Sequence, residues 1–200
     1  MYKVFLKNKP LIVSTSFIDN TDLSPLIYSK FSDSSGIMKA LKSKKTNCVY
    51  FYNSDPEKLM KHLNKKFSIV EAAGGMVVND KNQYLLIYRN SKWDLPKGHL
   101  NKNELTLDCA FREVTEETGV RGLTSESILP STFHFFKRNN EYKIKKTYWF
   151  LMKTKFNGML LPQLIENIEK ADWKNQSEVK GLLKKMYPNI EILFKHHFNL

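Results

Sequence analysis

Cysteine is almost absent from this chain of 200 residues. Only Cys48 and Cys109 occur, with no metal-type spacing between them. Two such residues build neither a disulfide framework nor a zinc cluster, and both read as reduced thiols. No apolar run approaches the roughly 18–20 residues that cross a bilayer. The stretch Met1–Ser16 mixes charged with apolar side chains and lacks the layout of a signal peptide. A cytoplasmic protein without membrane contact is therefore expected. Arginine is also scarce, at Arg89, Arg112, Arg121 and Arg138 alone, so the formal net charge of +12 is carried by lysine. Such an excess favours anionic partners, phosphates above all. It is weak ground for nucleic acid, because sequence-reading surfaces lean on the arginine fork. A joint lysine and asparagine bias also follows from genome base composition.

Hydrophobic residues make up 42% of the chain, enough for a packed core. Residues 1–70 predict a small α/β unit of order ββαβα. Its strands fall over Tyr2–Leu6, Leu11–Ser16 and Cys48–Tyr52. Its helices fall over Gly36–Lys44 and after Ser54-Asp55-Pro56-Glu57, where Asp55 caps and proline enters the first turn. No chemical motif lies in this unit. Residues 71–200 predict a mixed α+β domain. Its expected elements are strands at Ala72–Asn79, Gln83–Tyr88, Ser127–Lys137, Lys143–Thr154 and Glu166–Trp173, and helices at Asn103–Thr118, Gln176–Lys185 and Asn189–His197.

The informative stretch runs from Gly98-His99-Leu100-Asn101-Lys102-Asn103-Glu104 through Arg112-Glu113-Val114-Thr115-Glu116-Glu117-Thr118-Gly119-Val120. At about 100° per residue, Glu113, Glu116 and Glu117 share one helix face, while Leu107, Ala110, Phe111 and Val114 share another. Three carboxylates at i, i+3 and i+4 repel one another, and near a helix C-terminus the dipole opposes them too. Something cationic must compensate. Arg112 is one answer; a hard divalent ion such as Mg²⁺ is the better one, since it prefers carboxylate oxygens. Gly119 is placed to end the helix. Gly98 is expected to mark a sharp turn from strand to helix, letting a backbone carbonyl face the ion.

These residues resemble the signature of the Nudix hydrolase family: glycine, five residues, glutamate, seven residues, then Arg-Glu-aliphatic-any-Glu-Glu-any-Gly-aliphatic. Nine constrained positions over 23 residues are all matched, which is far more specific than a lone glycine-rich loop. The resemblance spans about 71–200. It implies an α/β/α sandwich around a mixed sheet and a pyrophosphohydrolase acting on phosphoric anhydrides. It also implies Mg²⁺, or Mn²⁺ in its place, held by Glu113, Glu116, Glu117 and the backbone carbonyl of Lys97. Arg112 and Glu104 would pair to hold the loop and helix together. Glu113 is the first choice for the base and Glu166 the second.

The segment Trp93-Asp94-Leu95-Pro96-Lys97-Gly98-His99 resembles members that act on dinucleoside polyphosphates. The expected substrate is therefore a nucleoside diphosphate derivative of that kind, with the Lys97, Arg89 and Lys145 side chains in reach of phosphate or else solvated. A nucleotide-sensing protein without turnover and an RNA 5′-end pyrophosphohydrolase are the alternatives, and homodimer formation is left open.

Overall fold

The computed structural model describes residues 1–200, and its contacts divide them into two compact units. Met1–Val70 with Phe133–Lys145 make the first; Glu71–Thr132 with Lys146–Leu200 make the second. The hairpin tip at 133–145, expected from sequence in the second unit, belongs by its contacts to the first.

In the first unit, β1 (Tyr2–Leu6) and β2 (Lys9–Ser14) form an antiparallel hairpin through a turn where Lys7 is left-handed. A short strand unforeseen in the sequence, β3 (Leu26–Tyr28), follows, and then α1 (Ser34–Lys42), β4 (Val49–Tyr52) and α2 (Pro56–Lys66). The order is thus βββαβα. Strands β2, β4 and β3 pair in parallel. Asp55 caps α2 as the sequence suggests, its Oδ1 accepting from the amides of Glu57 and Lys58. Ile37, Met38 and Leu41 of α1 and Leu59 and Leu63 of α2 bury against Val4, Leu11, Val13, Val49 and Phe51.

In the second unit, β5 (Ile69–Asn79) and β6 (Tyr84–Arg89) are joined at an Asx-type turn. There the Asn79 side chain accepts from the amides of Lys81 and Gln83. Two short strands, β7 (Lys92–Asp94) and β8 (Lys97–His99), return along β6 and β5 respectively. Then come α3 (Thr106–Thr118), β9 (Thr124–Arg138), β10 (Glu141–Thr154), β11 (Ile168–Lys174), α4 (Gln176–Leu182) and α5 (Pro188–His197). Sheet neighbours in this unit run β11-β6-β5-β10-β9.

Period-two alternation sends successive side chains to opposite faces. Ala73, Val77, Leu85, Phe150 and Met152 meet Cys109, Ala110 and Val114 of α3 on one face. Met76, Leu86, Leu129 and Trp149 meet Val179, Ile190, Leu193 and Phe194 of α4 and α5 on the other. The result is the α/β/α sandwich expected from the signature. No helix is long and apolar enough to cross a membrane.

Candidate active site

Helix α3 is the element that gathers the signature residues. Cys109, Ala110 and Val114 are fully buried in the core, which fixes the helix in roll and leaves Glu113, Glu116 and Glu117 along the side facing β8. Gly119 ends it at φ +76°, its amide donating to Thr115 O at 2.8 Å. The loop beyond β10 satisfies two of the last carbonyls, through Leu161 N to Thr118 O at 2.8 Å and Gln163 N to Glu117 O at 3.2 Å. That loop also carries Glu166 to the site, where its charge acts on both Glu113 and Arg89.

Arg112 is the hub. Its Nε and Nη2 donate to the two oxygens of Glu104 at 2.7 and 2.9 Å, a bidentate pair. Nη1 donates to Glu113 Oε1 at 2.7 Å and to Glu116 Oε2 at 3.1 Å, and Nη2 also reaches His99 O at 3.1 Å. Glu104 in turn accepts from the Asn101 amide at 2.8 Å, closing the turn before the helix. The Arg112 hydrogen bonds, followed by that of Asn101, hold the Glu104 carboxyl down at about 2 from 4.5.

A folded-state pKa below the unfolded one gives stability that is complete above 4.5 and lost as the pH falls toward 2. The guanidinium-denaturation midpoint of the wild type should therefore drop more steeply between pH 4.5 and 2 than that of Glu104→Gln. Parallel pH profiles for the two would contradict the linkage.

Gly98 has a different purpose from the sharp turn expected. It sits inside β8 opposite Ala73 and its φ is not left-handed. A Cβ there would stand 1.9 Å from Glu113 Oε2, so the carboxylate lies directly against the backbone and only glycine leaves it room. Gly98→Ala should evict Glu113 from Arg112 while costing the fold little, since the displaced atoms end a flexible side chain. Hydrolytic rate should fall at least tenfold, on the order of 1.4 kcal/mol of barrier, with little change in melting temperature. An unchanged rate would show that the placement of Glu113 is immaterial.

Behind Arg112 lies a buried group of four charges. Glu117 is wholly buried; its Oε2 accepts from the Lys97 amide at 2.8 Å, and its Oε1 has no hydrogen-bond partner. Arg89 Nη1 approaches that oxygen to 3.8 Å. Asp94, 2% exposed, lies 3.4 Å from Arg89 Nε and 3.2 Å from Lys97 Nζ. Burial pushes the Glu117 carboxyl up to about 7 against the opposing pull of Lys97 and Arg89. Burial likewise raises Glu113, opposed by Arg112.

Lys97 therefore departs from both expectations for its side chain. It is buried against Asp94, neither solvated nor extended toward a ligand. Asp94 is the residue that sequence reasoning missed, although its i, i+3 spacing to Lys97 within Trp93–Lys97 was a usable signal. Lys145 lies in the first unit, its ammonium 5.4 Å from the centre of the Phe136 ring.

The donor set fits a hard divalent ion. It offers three carboxylates on one helix side, one of them with an unpartnered oxygen in a buried position. No three His, Cys, Asp or Glu side chains are drawn together as a ligand cluster, and Arg112 Nη1 contacts both Glu113 and Glu116. An ion bound by both would take over the neutralising role that the guanidinium now fills.

Comparison with known proteins matches this arrangement to a family. The NUDIX domain model matches residues 69–196, well over half of the chain. The chain belongs to the Nudix family. Among curated relatives, the mRNA-decapping protein g5R of African swine fever virus (isolate Warthog/Namibia/Wart80/1980) is 34% identical over 119 residues. That match covers 54% of this chain and 46% of the viral protein. The RNA pyrophosphohydrolase of Bartonella tribocorum is 28% identical over 119 residues, covering 56% of this chain and 68% of that one. The chain thus spans about half the length of the decapping relatives it matches. Among solved structures, the MutT protein from Methanosarcina mazei Go1 superposes with a TM-score of 0.51 at 19% identity, over 66% of this chain and 94% of that one. It shares the fold of the Nudix domain.

Proposed function

We propose that this Nudix chain hydrolyses a phosphoric anhydride at the 5′ end of RNA, with Glu113, Glu116 and Glu117 of α3 as its catalytic carboxylates. The observation that carries the anhydride chemistry is the convergence of Glu113 and Glu116 on one Arg112 nitrogen beside the buried Glu117. RNA as the substrate class is supported by the names of the relatives, a decapping protein and an RNA pyrophosphohydrolase.

A divalent ion, Mg²⁺ or Mn²⁺, would be held by Glu116, Glu117 and the Lys97 carbonyl, and when bound it would neutralise phosphate oxygens and lower the pKa of a coordinated water. The chain's own residues do the rest. Glu113 is the proton acceptor for the attacking water: Arg112 donates to its Oε1 and, with Gly98 behind the carboxylate, orients it. The water oxygen forms the new bond to phosphorus, the bridging P–O bond breaks, and the nucleotide or phosphate leaves with the electron pair. Arg112, tied to Glu104 and the His99 carbonyl, is a positioning residue. Arg89 and Lys97 oppose the effect of burial on Glu117 and favour its charged form.

A second reading, a small dinucleoside polyphosphate as substrate, is favoured by the Trp93–His99 segment alone. The test is a panel of capped RNA, 5′-triphosphorylated RNA, dinucleoside polyphosphates and ADP-ribose with Mg²⁺ or Mn²⁺, read as kcat/KM. RNA substrates should exceed the small molecules by at least tenfold. The reverse ranking would move the assignment to dinucleoside polyphosphates, and tight binding without turnover would replace the enzyme with a sensor.

A further inference from the structure

The positive charge of the chain is unevenly divided. The first unit holds 16 Lys and Arg against 6 Asp and Glu; the larger second unit holds 16 against 14. Lysine enrichment from base composition alone would load both units alike and would leave their acid content equal. Within the first unit, the charge surrounds an open groove of about 990 Å³ between α1, the end of α2 and the turn joining β9 to β10. Lys39, Lys42, Lys65 and Lys66 line it, with Tyr142 on the wall and Glu141 as its acid. The only ion pair inside this unit joins Lys58 to Asp55, so none of the four lysines is in a direct ion pair, though the charge of Asp33 acts on Lys66.

Burial and the neighbouring Lys65 lower the Lys66 pKa, against the opposing pull of Asp33. The Lys42 ammonium lies 4.8 Å over the Tyr142 ring. Phe31, 82% exposed, stands three residues before the groove-lining Ser34. At the turn, Asn139 and Asn140 both take left-handed conformations, the pattern of a tight hairpin.

We infer that this groove is a binding site for single-stranded RNA, with the lysines on successive phosphates and Tyr142 on its wall. The inference rests on the RNA reading given above and adds a place and a strand type to it. Four unpaired lysines without arginine suit sequence-independent backbone contact. A cationic groove with an aromatic wall is the arrangement that holds single strands. The volume accommodates a short run of nucleotides, whereas duplex RNA is read across a long, broad face of its helix.

The experiment uses the full chain in EDTA and a fluorescent 5′-hydroxyl RNA of about 12 nucleotides. Without metal or anhydride, the outcome is independent of whether the Nudix site turns over. The triple variant Lys39→Gln, Lys42→Gln, Lys65→Gln is compared with a charge-matched variant of the second unit, Lys155→Gln, Lys170→Gln, Lys180→Gln. All six side chains are exposed, so both proteins should melt with the wild type.

The groove variant should lose at least tenfold in affinity at 100 mM salt. Its log K against log salt slope should be shallower by about 2, from roughly 0.7 per lost phosphate contact on a single strand. The control should lose less than threefold. Equal losses in the two variants, absence of binding by the wild type, equal affinity for duplex RNA, or stronger binding to phosphatidylserine vesicles would each overturn the inference. Should a triple variant melt early, the single variants Lys39→Gln and Lys42→Gln replace it, with about a threefold loss expected for each and no loss as the contradicting result.

Discussion

Glu116→Gln should abolish most of the hydrolysis while leaving the fold as it is. The Glu116 side chain is 48% exposed and has one polar contact, to Arg112 Nη1 at 3.1 Å. A glutamine keeps the volume and can still accept that hydrogen bond, and Arg112 retains Glu104 and Glu113. Stability should stay within about 0.5 kcal/mol, as is usual for surface changes. What disappears is a formal charge at the place where the ion and the polyphosphate oxygens must be balanced. A loss of roughly 100-fold in kcat/KM corresponds to about 2.7 kcal/mol of transition-state stabilisation. Steady-state kinetics beside a thermal melt reads both quantities. A rate within threefold of wild type would remove Glu116 from the machinery.

Asp94→Ala should produce the largest loss of stability. Asp94 is the shared partner of Arg89 and Lys97, and both cations are largely withdrawn from water. Removing it leaves two positive groups facing Glu117 alone, at 3.8 Å from Arg89 Nη1. Breaking a buried ion pair from one side costs about 3–5 kcal/mol, because the remaining charge stays desolvated. The same change removes the acceptor for the Leu95 amide, now 2.9 Å from Asp94 Oδ1. A melting temperature lower by on the order of 10 °C is expected for a chain of this size. A shift under about 2 °C would mean that water relieves the cluster and that it does not hold the Trp93–Lys97 segment in place.

Much of the site was legible because its residues lie on one helix. The i, i+3, i+4 spacing of Glu113, Glu116 and Glu117 fixes their common side without any knowledge of what packs nearby, and the apolar face through Ala110 and Val114 fixes the roll. The long strands β9 and β10 were legible from their runs of β-branched and aromatic residues. The remainder depends on contacts distant in sequence. Strands β7 and β8 have three residues each and are ordered by pairing with β6 and β5, with Pro96 just before β8. No local period announces them. Strand β3 is equally short, follows a polar loop and exists through its parallel pairing with β4. Gly98 looked like a turn glycine because sequence shows its freedom but not the carboxylate that fills its missing Cβ. Lys97 looked exposed because lysine usually is; only the fold sets it against Asp94.

The most direct measurement is the release of product from 5′-capped or 5′-triphosphorylated RNA by metal-stripped protein to which Mg²⁺ or Mn²⁺ is returned, with Glu117→Gln assayed in parallel. Ion-dependent cleavage by the wild type, lost on the order of 100-fold or more in the variant, is the predicted result. Cleavage that proceeds equally in both proteins, or a wild type inert toward every anhydride offered, would contradict the assignment of the α3 carboxylates to phosphoric anhydride hydrolysis.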